Sequence, residues 1–183
     1  MIEILGLLFG VLYIISMVKE KWYAWPFGLL AVGMYGFSCY QSNLFGELFL
    51  QLAYAILTLY GWLKWQKNSH NNFTITKLSN FQYTIAISSA ISISLLSYVV
   101  LSMINSSLPV LDAITNGFAI VATFLAARKK IDNWLFWIPI NAVTIFMMLH
   151  KEMPFYALLY LCYGVFAIIG YYQWYASLKK NQA

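Results

Sequence analysis

Long apolar runs alternate with short polar breaks along the whole chain. Taken between the breaks, the runs predict helices near 2–18, 22–40, 46–65, 82–104, 110–127, 133–149 and 154–176. Each approaches the ~20 residues that a bilayer core of ~30 Å demands, and the breaks are too short to hold a soluble domain. The pattern is that of an all-α integral membrane protein with seven transmembrane helices. Its most hydrophilic segment, "KNSHNNFTITKLSN", is too long for a hairpin and rich in Asn, Ser and Thr. It reads as a linker between two halves: a first three-helix unit over 1–66, the linker and a central fourth helix over 67–107, and a second three-helix unit with its tail over 108–183.

The halves resemble one another. A shift of 112 residues superposes "KWYAW" on "NWLFW" and "AILTLYGW" on "AIIGYYQW" without a gap, matching Trp22 to Trp134, Trp25 to Trp137 and Trp62 to Trp174. Gln51 then falls on Tyr163, and Asn141 on Leu29. With one span between them, both triplets enter the membrane in the same direction. The expected architecture is 3+1+3 with parallel repeats about an axis along the membrane normal, and a substrate held near the midplane between them.

Composition narrows the class. Only 9% of residues are charged and 62% are hydrophobic, against roughly 25% charged in soluble domains. Of eleven Lys and Arg, only Lys151 falls on one side of the predicted membrane; the other ten, including Arg128, Lys129 and Lys130, fall on the other. That bias puts the N-terminus outside and the C-terminus in the cytoplasm. It also accounts for the net charge of +5 as orientation rather than nucleic-acid binding. The first helix carries Glu3 and ends at Lys19-Glu20-Lys21, so it reads as retained rather than as a cleaved signal. Cys39 and Cys162 stand singly, and His70 and His150 are too few and too far apart for a metal or haem site. No cofactor is expected. No nucleotide-binding loop, proton relay or hydrolase constellation is visible, which excludes most enzymes and pumps and leaves facilitated diffusion.

Polar and aromatic positions inside the spans supply the candidate site. All seven tryptophans fall near one set of helix ends; for Trp22, Trp65 and Trp174 an interfacial aromatic belt is the expectation. Trp134, Trp137 and Asn141 share a helix face, with the amide ~10 Å deeper than Trp134. A mid-membrane amide needs a partner, so Asn141 either glues helices together or faces a wet cavity. Glu47, Gln51, Tyr54 and Thr58 form one polar stripe, and Tyr156, Tyr160 and Tyr163 another. Together Gln51, Tyr54, Trp134, Trp137, Asn141, Tyr160 and Tyr163 describe a pocket for a planar, cationic ring carrying hydroxyls. Glu47 and Asp112 near the outer helix ends are open to structural or cation-steering roles, and Pro26 and Pro139 to hinge or helix-start roles.

The runs "WPFG", "ELFLQLAYAILTLYGWLKW" and "ARKKIDNWLFWIPIN", with the tyrosine-rich last helix, resemble the Pnu family of bacterial vitamin transporters, including the PnuC-type nicotinamide riboside transporters. The resemblance covers nearly the whole chain and is weakest over 67–107. It implies a SWEET-like seven-helix fold, a homotrimer in the bacterial inner membrane, and uptake of nicotinamide riboside trapped by a cytoplasmic kinase. It also places the family's tryptophan, asparagine and glutamine pattern on Trp134, Trp137, Asn141 and Gln51. Ile140 departs from the polar group expected there in some riboside transporters. Thiamine and riboflavin are the alternative cargoes within the family, and a non-transporting membrane subunit is the alternative outside it.

Overall fold

In the computed structural model, residues 2–41, 45–67, 73–103 and 108–180 are described. They form seven helices: α1 (Ile2–Val18), α2 (Ala24–Gln41), α3 (Phe45–Lys67), α4 (Asn80–Met103), α5 (Pro109–Ala127), α6 (Asn133–His150) and α7 (Pro154–Lys180). The apolar runs anticipated every one of these, with ends shifted by a few residues. Among the described residues α4, α5, α6 and Tyr156–Lys180 of α7 are long and apolar enough to cross a membrane, and Ile4–Val18 is a shorter apolar helix.

Local chemistry sets the helix ends. Pro109 and Pro154 open α5 and α7, where a missing N–H costs nothing. Helices α1, α5 and α6 are followed by residues of positive φ, Glu20, Lys129 and Glu152. In each case the next residue's N–H returns to a carbonyl five residues earlier: Lys21 to Ser16, Lys130 to Leu125 and Met153 to Met148, all at 2.9 Å. These are Schellman stops built without glycine.

The element spacing corrects the repeat register. Ala24 and Asn133 begin α2 and α6, Phe45 and Pro154 begin α3 and α7, and Val18 and Ala127 end α1 and α5, each pair 109 residues apart. The positive-φ residues Glu20 and Lys129 keep the same spacing. The shift of 112 is one helical turn too long. Tryptophans recur three apart at 22 and 25, at 62 and 65 and at 134 and 137, so a one-turn slip still lays indole on indole. In the structural register Trp25 matches Trp134, Gly61 matches Gly170, Trp65 matches Trp174 and Tyr54 matches Tyr163. Gln51 then pairs with Tyr160, and Asn141 with Val32.

Packing follows the same pairing. Helix α2 packs between α1 and α3, and α6 between α5 and α7; across the halves α3 meets α5 and α1 meets α7, while α4 lies along α5. At the basic end of the bundle an indole cluster fills the core. Trp25, Trp65, Trp134 and Trp174 are all at most 3% exposed. The expected interfacial belt therefore fails for Trp65 and Trp174, while Trp22 is 44% exposed. Glycines make room for the rings: a Cβ on Gly61 would stand 2.5 Å from the Trp25 ring, and one on Gly170 2.6 Å from that of Trp134.

The linker, whose residues 68–72 with His70 lie outside the described residues, docks on this end. Thr76 pairs with the α5–α6 turn, its N–H to Lys129 O at 3.1 Å and its carbonyl accepting from Ile131 N–H at 3.0 Å. Ile75 is buried within the indole cluster. The Asp132 carboxylate accepts from the Leu78 N–H at 2.7 Å and from the Tyr83 hydroxyl. Lys130 Nζ donates to Lys77 O at 3.1 Å. Partial burial, then the neighbouring Arg128, lowers the Lys130 pKa, with Asp132 opposing.

Candidate functional site

A cavity of about 430 Å³ lies between the two triplets, within the range of small-molecule sites. All seven sequence-selected residues line it: Gln51 and Tyr54 from α3, Trp134, Trp137 and Asn141 from α6, and Tyr160 and Tyr163 from α7. Stripe positions that do not reach it are Thr58, buried beneath Gly28, and Tyr156, which is exposed. The Glu47 side chain lies outside the described residues.

Asn141 lines the cavity and bonds within its own helix. Its Nδ2 donates to Trp137 O at 2.8 Å, a carbonyl of its own helix, so this bond ties no helix to another. The assignment of O and N in the amide follows from that donor, and it leaves Oδ1 as the side chain's acceptor. One turn away on α6, Thr144 is spent in the same manner on Ile140 O at 2.8 Å. Trp134 is clamped edge-on by Trp174, ring centroids 5.4 Å apart, and by the missing side chain of Gly170. Tyr160 and Tyr163 meet edge to face at 6.0 Å, offering one ring face and one ring edge.

The spacing of apolar and polar positions missed the contribution of the first helix of each triplet. Tyr13 of α1 and Asn116 of α5 line the cavity, as do Thr144 and Asn133 of α6. Asn116 sits in "DAITNG", a polar patch in an apolar span that was legible as a signal; Tyr13 has no such mark. Among the described lining residues, charge enters only at one end of the cavity. Asp112 of α5 and Lys151 after α6 both line it and form an ion pair at 3.4 Å, so the one cation on the sparsely charged side of the bundle is neutralised there. Among the described residues no three His, Cys, Asp or Glu side chains group as metal ligands, and Cys39 and Cys162 form no disulfide.

An all-helical bundle of apolar helices with an aromatic and amide-lined cavity between two like halves defines a multi-pass membrane transporter. Residues 1–176 match the family described as nicotinamide mononucleotide transporter, and the chain belongs to that family. The chain is similar to the nicotinamide riboside transporter PnuC of Escherichia coli (26% identical, over 98% of this chain and 87% of the relative) and to that of Neisseria mucosa (26%, over 94% and 71%). It is also similar, at 20% identity over 98% and 86%, to the riboflavin/roseoflavin transporter RibM of Streptomyces davaonensis. The fold matches the crystal structure of the vitamin B3 transporter PnuC with a TM-score of 0.78, at 24% identity, over 98% of this chain and 82% of that one.

Proposed function

We propose that the protein carries nicotinamide riboside across the bacterial inner membrane by facilitated diffusion, the cargo being trapped by a cytoplasmic kinase. The family description and two relatives' names differ by a phosphate, and the cavity's charge favours the form without it. A phosphate dianion in a low-dielectric site needs cationic partners. Here the only charged side chains among the described lining residues are Asp112 and Lys151, already paired with each other. What the walls do offer is two indoles, several phenols and the Asn141 Oδ1, which suit a cationic aromatic ring with an amide and ribose hydroxyls.

The reading includes seven spanning helices in a SWEET-like 3+1+3 order, with parallel triplets about an axis along the membrane normal, supported by the spacing of 109 at the α2/α6 and α3/α7 starts and the α1/α5 ends. It includes an N-terminus outside and a cytoplasmic basic end, supported by the ten-to-one distribution of Lys and Arg. The homotrimer rests on the family resemblance. The similarity to a riboflavin carrier keeps riboflavin, and with it thiamine, as the competing cargo. Calorimetric titration of purified protein with nicotinamide riboside, its mononucleotide, thiamine and riboflavin decides. The riboside binds most tightly and the mononucleotide at least tenfold more weakly; equal or tighter mononucleotide binding refutes the charge argument, and preference for thiamine or riboflavin refutes the cargo.

A further inference from the structure

Residues 109 apart hold equivalent places in the two triplets, so a residue in contact with its own equivalent sits on the axis that relates them. Two such pairs stack at the basic end. Glu20 and Lys129, the left-handed residues of the α1–α2 and α5–α6 turns, form an ion pair at 3.2 Å. Trp65 and Trp174, near the ends of α3 and α7, place their ring centroids 6.2 Å apart. Lys129 Nζ lies over the Trp65 ring at 4.9 Å, joining the two layers. Immediately beyond lies the floor of the cavity, which includes a third equivalent pair, Met17 and Ala126, packed in the same cluster as the indoles.

The indole layer is also a clamp between halves. Trp65 Nε1 donates to Ala127 O at the end of α5, and Trp174 Nε1 to Met17 O at the end of α1, both at 3.1 Å. Each triplet's last helix thus holds the other triplet's first. Opposing this closure, the Nε1 atoms of Trp25, Trp62 and Trp134 and the Oδ1 of Asn133 are buried at the same end without a hydrogen-bond partner. Parting of the triplets there breaks two hydrogen bonds and one ion pair and gives water a route toward four orphaned groups. Terms of opposite sign are what a two-state device requires.

We propose that Trp65, Trp174, Glu20 and Lys129 form the inner gate of the pathway, and that cargo leaves toward the basic end when the triplets separate along this axis. The proposal rests on the transport reading for its cargo, whereas the opening itself is measurable without one. In a Cys39→Ser, Cys162→Ser background, Ala126→Cys reports access to the cavity floor. A small impermeant thiol reagent is applied to the membrane face on which a cysteine at Ser177 reacts. Adding Glu20→Gln quickens labelling at position 126 about fivefold, about 1 kcal/mol at 1.4 kcal/mol per decade. Exchanging the charges, Glu20→Lys with Lys129→Glu, returns the parent rate, and Trp174→Phe, which keeps a ring but loses the N–H, also quickens it. Unchanged or slower labelling in Glu20→Gln overturns the gate, whatever Trp174→Phe does. Titration with nicotinamide riboside runs alongside: the Glu20→Gln variant binds as the parent does, and a parent that fails to bind refutes the cargo while the labelling rates still decide the gate.

Discussion

Three glycine-to-alanine changes separate the scaffold from the site. At Gly170 an added Cβ would stand 2.6, 2.7 and 2.8 Å from ring atoms of Trp134, whereas ordinary contact begins at 3.4 Å, a shortfall of up to 0.8 Å. The indole is 1% exposed and held on another side by Trp174, so it has little room to retreat. Overpacking of this kind costs about 1–3 kcal/mol, and alanine's better helix propensity returns up to about 1. At the upper end of that cost, which the tight contact favours, a net loss of about 2 kcal/mol follows, a fall in melting temperature of roughly 4–8 °C for a chain of this size. Because Trp134 is also cavity wall, its displacement weakens riboside binding about tenfold. Gly61→Ala meets Trp25 at 2.5 Å, and Trp25 does not line the cavity, so stability falls and affinity stays. At Gly33 a Cβ meets nothing within 4 Å, and the change is neutral or stabilising by up to about 1 kcal/mol. Scanning fluorimetry in detergent and calorimetric titration read the two quantities. If Gly170→Ala melts no lower than the parent and binds as well, the indole is not a fixed wall and the reasoning fails.

Asn141→Leu lowers riboside affinity by about 1–3 kcal/mol, the cost of leaving buried polar groups of the cargo unpaired, and leaves the melting temperature unchanged because its amide bonds its own helix. A variant that melts earlier yet binds normally restores the helix-glue reading. Asp112→Asn frees the Lys151 charge at one end of the cavity, so the ratio of riboside to mononucleotide affinity falls; the pair is partly exposed, which limits the effect on either ligand to about 0.2–1 kcal/mol. An unchanged ratio in paired titrations removes charge from the selectivity. Asp132→Asn puts an NH₂ where two donors converge, costs about 1–3 kcal/mol, and speeds proteolysis within the linker without changing affinity. Linker cleavage at the parent rate counts against Asp132 as its anchor.

The helices were legible because a membrane span is a one-dimensional signal, apolar length between charges. The seven lining residues were legible because each stands out from that background, as a polar group on an apolar face or as an aromatic three or four residues from another. Tyr13 carried no contrast, since a lone tyrosine in α1 looks like any interfacial aromatic; only the fold sets it in the cavity wall. Register and burial failed for a shared reason. Tryptophans three apart alias by one helical turn, and a sequence pattern places an indole at a helix end without saying whether that end faces lipid or another indole. Trp65 and Trp174 show the consequence: their depth was readable and their partners, carbonyls on the opposite triplet, were not.

In the corrected register the halves share scaffold positions and part of the cavity wall. Trp25 and Trp134 over Gly61 and Gly170, and Trp65 against Trp174, are shared scaffold, and Tyr54 and Tyr163 are a shared pair that lines the cavity. Other cavity positions are not shared. Asn141 stands opposite Val32, Asn116 opposite Leu7, and Trp137 opposite Gly28. At Gly28 the Tyr13 ring of α1 comes within 2.8 Å of where a Cβ would be, so an indole at that position would collide with it. At this place the first triplet therefore presents a phenol from α1, and the second an indole from α6. A cargo with one flat aromatic end and one hydroxylated end fits such unlike walls, while the halves keep matching contacts at the basic end. In the gate proposed above, symmetry sets how the halves move, and its local failure sets what they hold.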